Sequence, residues 1–166
     1  MVIMFCQYKT EVFIVEIKNI LCAVDFSEAS TKVASYAQAL AKALNACVHV
    51  VFVTPTLDPS ISLREYLGVH ISPASSDKNI IAEIIPRAEK KMDTFIQENF
   101  SMENIKGQVL SGYVSEEILN FAEREKIDII IMGTHGRQGM GRILFGSVAE
   151  KVVKSSKVPV LTIRPD

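Results

Sequence analysis

The chain has 166 residues, 48% hydrophobic and 22% charged, with only 6 Pro and 8 Gly, the composition of one packed domain rather than of a disordered or low-complexity chain. Lys plus Arg number 18 against 19 Asp plus Glu, a net charge of -1, so no global basic field exists to concentrate nucleic acid or anionic lipid. The three cysteines, Cys6, Cys22 and Cys47, lack C-x-x-C or Cys/His ligand spacing, which argues against a disulfide framework or structural zinc and makes a reducing cytoplasm the expected location.

Near the N-terminus Glu11, Glu16 and Lys18 interrupt the longest apolar region, short of the roughly 18 to 20 residues that span a bilayer. Residues 1–17 carry no basic n-region and no A-x-A-like cleavage site, so a secretory signal is disfavoured. They are expected to be an extension, an extra edge strand or a loosely held segment, ahead of a domain over 18–166.

Regular patterning starts at Asn19. The continuous apolar run Ile20 to Val24 is what a strand buried on both faces requires. Asp25-Phe26-Ser27-Glu28 offers an oxygen cap with an acid three residues on, and Ala29, Val33, Ala37, Leu40 and Leu44 continue at helical spacing. Val48 to Val53 repeats the strand signal. The stretch from Thr54 to Asp77, with three prolines, Gly68 and several serines, reads as a long irregular excursion of the kind that is often functional. Ile81, Ile84, Ile85, Ala88, Met92, Phe95 and Ile96 form a second helical stripe, which Pro86 either kinks or starts.

Lys106 to Leu110 is expected as a third strand, Ser115 to Glu125 as a third helix and Asp128 to Met132 as a fourth, buried strand. A fourth helix over Ser147 to Ser155 and a fifth strand over Val158 to Ile163 close the chain. Five strands alternating with four helices imply an α/β fold, a doubly wound parallel sheet covered on both faces with right-handed crossovers. Ligands of such sheets bind outside the carboxyl ends of the strands at the switch point.

Five of the 8 glycines, Gly133, Gly136, Gly139, Gly141 and Gly146, fall in the 14 residues that follow the fourth strand. Glycine lets backbone approach a ligand closely, and the N–H groups of the next helix's first turn favour phosphate. Gly141-Arg-Ile-Leu-Phe-Gly146-Ser147 has the glycine spacing of a P-loop without its lysine, and Gly139-Met-Gly141 lacks the third glycine of the dinucleotide fingerprint. Asp25, at the end of the first strand, is read either as a helix cap or as a ligand contact, and Ser147 as a cap that can also meet phosphate.

The pattern Gly133-x2-Gly136-x9-Gly146-Ser147 resembles the ATP-binding subclass of universal stress proteins. The resemblance runs from about Lys18 to Arg164 and takes in Ala23-Val24-Asp25-Phe26-Ser27, Gly112, Ser147-Val148-Ala149-Glu150-Lys151-Val152 and Pro159-Val160-Leu161. It implies a five-stranded sheet in the order 3-2-1-4-5, with ATP and a Mg2+ or Mn2+ ion as the ligands. It further implies that Asp25 and Val53 meet ribose and adenine, that Met132 adds apolar contact, and that Gly133 and Gly136 turn the backbone around ribose and phosphate. Gly146, Ser147 and Val148 would present N–H groups to the phosphates, with Ala23, Arg137 and Arg142 as secondary candidates. The chain departs from the pattern at Ala149, where many members carry a hydroxyl, and at Val114, where proline is frequent.

No Ser or Cys nucleophile has a recognisable partnered acid, and His135 reads as a solvated loop residue. Without the P-loop lysine, ATP hydrolysis is expected to be slow or partner-dependent, and the role regulatory rather than catalytic. Two other readings stand beside this one: a dimeric interaction module with a vestigial nucleotide site, and an adenylating enzyme of the related adenine-nucleotide hydrolase group. The second lacks its serine-glycine loop, since Asp25-Phe26-Ser27-Glu28 contains no glycine. The last strand would be a sheet edge with no charge to protect it, so a homodimer through Val158, Val160, Leu161 and Ile163 is expected. Protein partners are not identified by the sequence.

Overall fold

The structure is a computed structural model that describes residues 16–55, 77–134 and 146–164. Among these, strands and helices alternate as β1 (Asn19–Ala23), α1 (Glu28–Leu44), β2 (Cys47–Pro55), α2 (Asp77–Asn99), β3 (Ile105–Gly112), α3 (Val114–Arg124), β4 (Ile129–Gly133), α4 (Ser147–Ser155) and β5 (Val160–Ile163). The strands pair in parallel throughout, in the order β3-β2-β1-β4-β5.

Alternation along each strand divides the core into two layers. Ile20 and Cys22 of β1, with Val48, Val50 and Phe52 of β2, pack against Val33, Ala34, Ala37 and Ala41 of α1 and Ala88, Met92 and Phe95 of α2. Leu21, Val51, Val53, Ile130 and Met132 face the other way, against Ile118 and Phe121 of α3 and Ala149 and Val152 of α4. Burial on both faces explains why β1 and β4 read as unbroken apolar runs. The small side chains of α1 let it sit close over the middle of the sheet. Gly107 does the same service for α2, because a Cβ there would stand 2.7 Å from Ile96 Cδ1 and 2.8 Å from Met92 Cγ.

Several expected boundaries shift for physical reasons. Of the two readings of Pro86, the start is corrected: the second helix begins at Asp77 and runs through it. An interior proline removes the hydrogen bond its N–H would make and crowds the carbonyl of the preceding turn, a cost of about 3 kcal/mol, and the burial of Ala88, Met92 and Phe95 holds the helix on the sheet against it. Asp128 lies just before β4 rather than in it. Its Oδ2 accepts the N–H groups of Lys18 and Asn19, each at 2.8 Å, and its own N–H donates to the Asn19 carbonyl at 2.9 Å. This clamps the amino ends of β1 and β4 together. β5 begins at Val160, two residues later than expected, so Val158 lies outside it; Pro159 has no N–H to pair, and its carbonyl accepts from Ile130. Thr54 and Pro55, expected in the excursion, extend β2; residues 56–76 lie outside the described residues. No helix among the described residues is long and apolar enough to cross a membrane.

Candidate functional site

β1 and β4 lie side by side, with Ala23 in register with Met132 on one side and Val51 on the other. The chain leaves β1 for α1 on one face of the sheet and leaves β4 for α4 on the opposite face. The helices that follow the two adjacent strands thus lie on opposite faces, the topological switch point at whose carboxyl strand ends doubly wound sheets receive ligands. Asp25 follows β1, Val53 lies near the end of β2, and Gly133 ends β4. Val53 and Met132 are 3% and 5% exposed, and their side chains belong to the layer under α3 and α4.

Asp25 is not the cap of α1. The N-cap is Ser27, whose side chain makes no capping bond. Asp25 Oδ1 instead accepts three hydrogen bonds, from the Ser27 N–H at 3.0 Å, the Ser27 hydroxyl at 2.6 Å and the Ser30 hydroxyl at 2.7 Å. The Asp25 N–H donates to Ser30 Oγ at 3.0 Å, so the Asp25 and Ser30 contact is reciprocal. Bonds to a carboxylate are short and strong, and this set fixes the carboxyl group, whose Oδ2 is buried, just past the carboxyl end of β1. Ser30, which is buried, was not among the expected site residues. Its signal is the spacing Asp25-x-Ser27-x-x-Ser30, which places two hydroxyls within reach of one acid as the chain enters the helix.

At the end of β4, Thr134 donates its N–H to the Ile163 carbonyl at 2.9 Å and accepts the Gly146 N–H at 2.8 Å. The Gly146 N–H, expected to meet a phosphate, is thus engaged by the Thr134 carbonyl in this structure. Gly146 is the N-cap of α4 with extended backbone, φ −74° and ψ 159°, and its carbonyl accepts the first helical bond from Glu150. The N–H groups of Ser147 and Val148, in the first turn, have no partner within the helix and carry the positive end of its dipole. Ser147 is exposed. Glu150, one turn further, is engaged by Lys154 at 2.6 Å, and that contact holds its carboxyl below the usual carboxylate range.

Gly136, Arg137, Arg142 and His135 lie outside the described residues. Among the described residues, no three His, Cys, Asp or Glu side chains are grouped closely enough to hold a metal ion.

Residues 16–164 match the model of the universal stress protein family. The chain is 33% identical over 151 residues to universal stress protein MJ0531 of Methanocaldococcus jannaschii, covering 89% of this chain and 82% of the relative. Among solved structures it is similar to protein MJ0577 of the same organism, with a TM-score of 0.74 and 30% identity over 92% of this chain and 99% of that one. It shares its fold with the universal stress protein of Archaeoglobus fulgidus solved in complex with dAMP, at a TM-score of 0.58 and 21% identity, covering 90% of this chain and 99% of that one.

Proposed function

The chain belongs to the universal stress protein family, and from that premise we propose that it is an ATP-binding regulatory protein whose site spans the carboxyl ends of β1, β2 and β4. The observation that carries the reading is the placement, at the carboxyl ends of the adjacent strands β1 and β4, of a braced carboxylate at Asp25 after the one and the amino end of α4, tied to Thr134, after the other. A carboxylate accepts ribose hydroxyls or adenine N–H groups, while first-turn amides and a serine hydroxyl donate to phosphate oxygens. Opposite demands at the two ends of a ligand suit a nucleotide better than a simple anion.

In this reading Asp25 and Val53 meet the nucleoside, with Met132 and Ala23 beside it. Gly133 and Gly136 turn the backbone around the ribose and first phosphate, and Ser147 and Val148 hold the phosphates, with Arg137 and Arg142 as further cations. A Mg2+ or Mn2+ ion accompanies the phosphates and is held chiefly by them. Nucleotide occupancy biases the surface shown to partners in the cytoplasm rather than driving rapid hydrolysis. Residues 1–17 form an extension to this domain.

We further propose a homodimer through β5. It is a sheet edge with no charged residue from Val160 to Ile163, and pairing about a two-fold axis would satisfy the open backbone groups of both copies. Sedimentation of the full chain as a dimer supports this, and a monomer contradicts it.

The nucleotide reading is tested by denaturing the purified protein and identifying released small molecules by chromatography. Release of an adenine nucleotide supports it. A protein that releases none and gains no thermal stability from millimolar ATP contradicts it.

A further inference from the structure

Phe26 stands directly after Asp25 with φ +59°, in the left-handed region. A side chain with a Cβ is disfavoured there, and glycine or asparagine is the usual occupant. Such strain persists only where surrounding structure holds it. Here three groups do so. The Phe26 ring lies 4.4 Å from the Phe52 ring of β2 and 5.6 Å from the Phe95 ring of α2, centroid to centroid, and Lys91 Nζ sits 5.3 Å above it. Phe52 and Phe95 are themselves buried, so the seat of the ring is fixed by the sheet and by α2 together.

The left-handed turn at Phe26 brings the Ser27 N–H and hydroxyl back onto Asp25 Oδ1. A residue chosen for backbone alone would be glycine or asparagine; a phenylalanine there puts the ring to use. We propose that Phe26 is a positioning residue for the nucleotide site, acting through Asp25: its ring, locked between β2 and α2, sets the carboxylate's direction without touching the ligand. This rests on the reading of Asp25 as a nucleotide contact.

The test uses the full chain with Phe26→Gly, which accepts the same backbone angle without the ring, and Phe26→Tyr, which keeps the ring. Amide hydrogen exchange of Ser27 is measured without ligand, and ATP affinity is measured in the presence of Mg2+, each well below the melting temperature. In Phe26→Gly the Ser27 N–H loses protection and ATP affinity falls by about tenfold, the scale on which supporting residues act on the groups they orient. Phe26→Tyr stays within about twofold of the wild type, since aromatic packing of the same ring is retained.

In an Asp25→Asn background the further loss from Phe26→Gly shrinks, because two residues acting through one contact are not additive. Unchanged ATP affinity in Phe26→Gly, unchanged Ser27 protection, or an equal loss with and without Asp25 each overturns the proposal. A wild-type protein that binds no ATP instead overturns the nucleotide reading, and the proposal with it.

Discussion

The backbone N–H of Gly146 donates to the Thr134 carbonyl oxygen at 2.8 Å, drawing together the two ends of the stretch from 135 to 145. Thr134 in turn donates to Ile163 at the end of β5. The entry of α4 is thus aimed by the sheet's own backbone and not by a capping side chain, since Gly146 has none. The direction of the Ser147 and Val148 amides follows from that bond.

Gly146→Val is expected to leave the chain folded and to abolish ATP binding. Valine tolerates φ −74° and ψ 159°, and the loss of a favourable N-cap residue costs about 1 kcal/mol. Its branched side chain would stand at the head of α4, where the phosphates are proposed to approach. Circular dichroism checks the fold and calorimetry the binding; normal binding would show that the site is misplaced.

Asp25→Ala removes the acceptor of three hydrogen bonds. Two of the stranded donors belong to hydroxyls that can turn elsewhere, while the Ser27 N–H cannot. Bonds to a charged group are worth about 1.5 to 3 kcal/mol, so urea unfolding should show a loss at the lower end of that range, along with loss of nucleotide binding. An unchanged midpoint would contradict the bracing role assigned to this carboxylate.

Gly107→Val tests the close approach of α2 to β3. Overpacking of this kind costs about 1 to 3 kcal/mol, and the strand preference of valine returns at most about 1 kcal/mol. Destabilisation is therefore expected. Ile96 Cδ1 can swing away, but Met92, 2% exposed and touched at Cγ, has little room. A variant as stable as the parent would mean that α2 shifts freely on the sheet.

His49 is buried in β2, its ring edge-on to Phe121 at 5.7 Å, and its Nε2 has no hydrogen-bond partner among the described residues. Burial, and then the charge of Lys106 on the neighbouring strand, push its pKa below the ordinary 6.5, with Glu125 at the end of α3 opposing. A lowered pKa means that the folded state holds fewer protons than the unfolded one between the folded value and 6.5. Stability is then full above about pH 6.5 and falls as pH drops through that window. Thermal melts from pH 7.5 to 5.5 should fall more steeply for the parent than for His49→Phe; identical slopes would contradict this.

Much of the architecture was legible because burial on both faces writes a strand as a plain apolar run, as at Ile20 to Cys22 and Ile129 to Met132. Backbone accounting was less so. Asp25 reads as a helix cap because caps and braced loops draw on the same residue types, and only the hydrogen bonds of Ser27 and Ser30 separate the two. The engagement of the Gly146 N–H with Thr134 depends on where the chain returns after eleven intervening residues, which no local pattern encodes. Left-handed φ at Asn45 conforms to residue preference. The same conformation at Phe26 does not, because there tertiary contacts of the ring override it.

Whether this chain binds a nucleotide is decided by a calorimetric titration of ATP with Mg2+ into nucleotide-free protein, beside Gly146→Val as the control. The parent is expected to bind saturably at one site per chain and the variant not at all. At 100 times the dissociation constant, binding should add about 2.7 kcal/mol to stability. No heat at millimolar ATP in either protein, with no accompanying thermal shift, would contradict it.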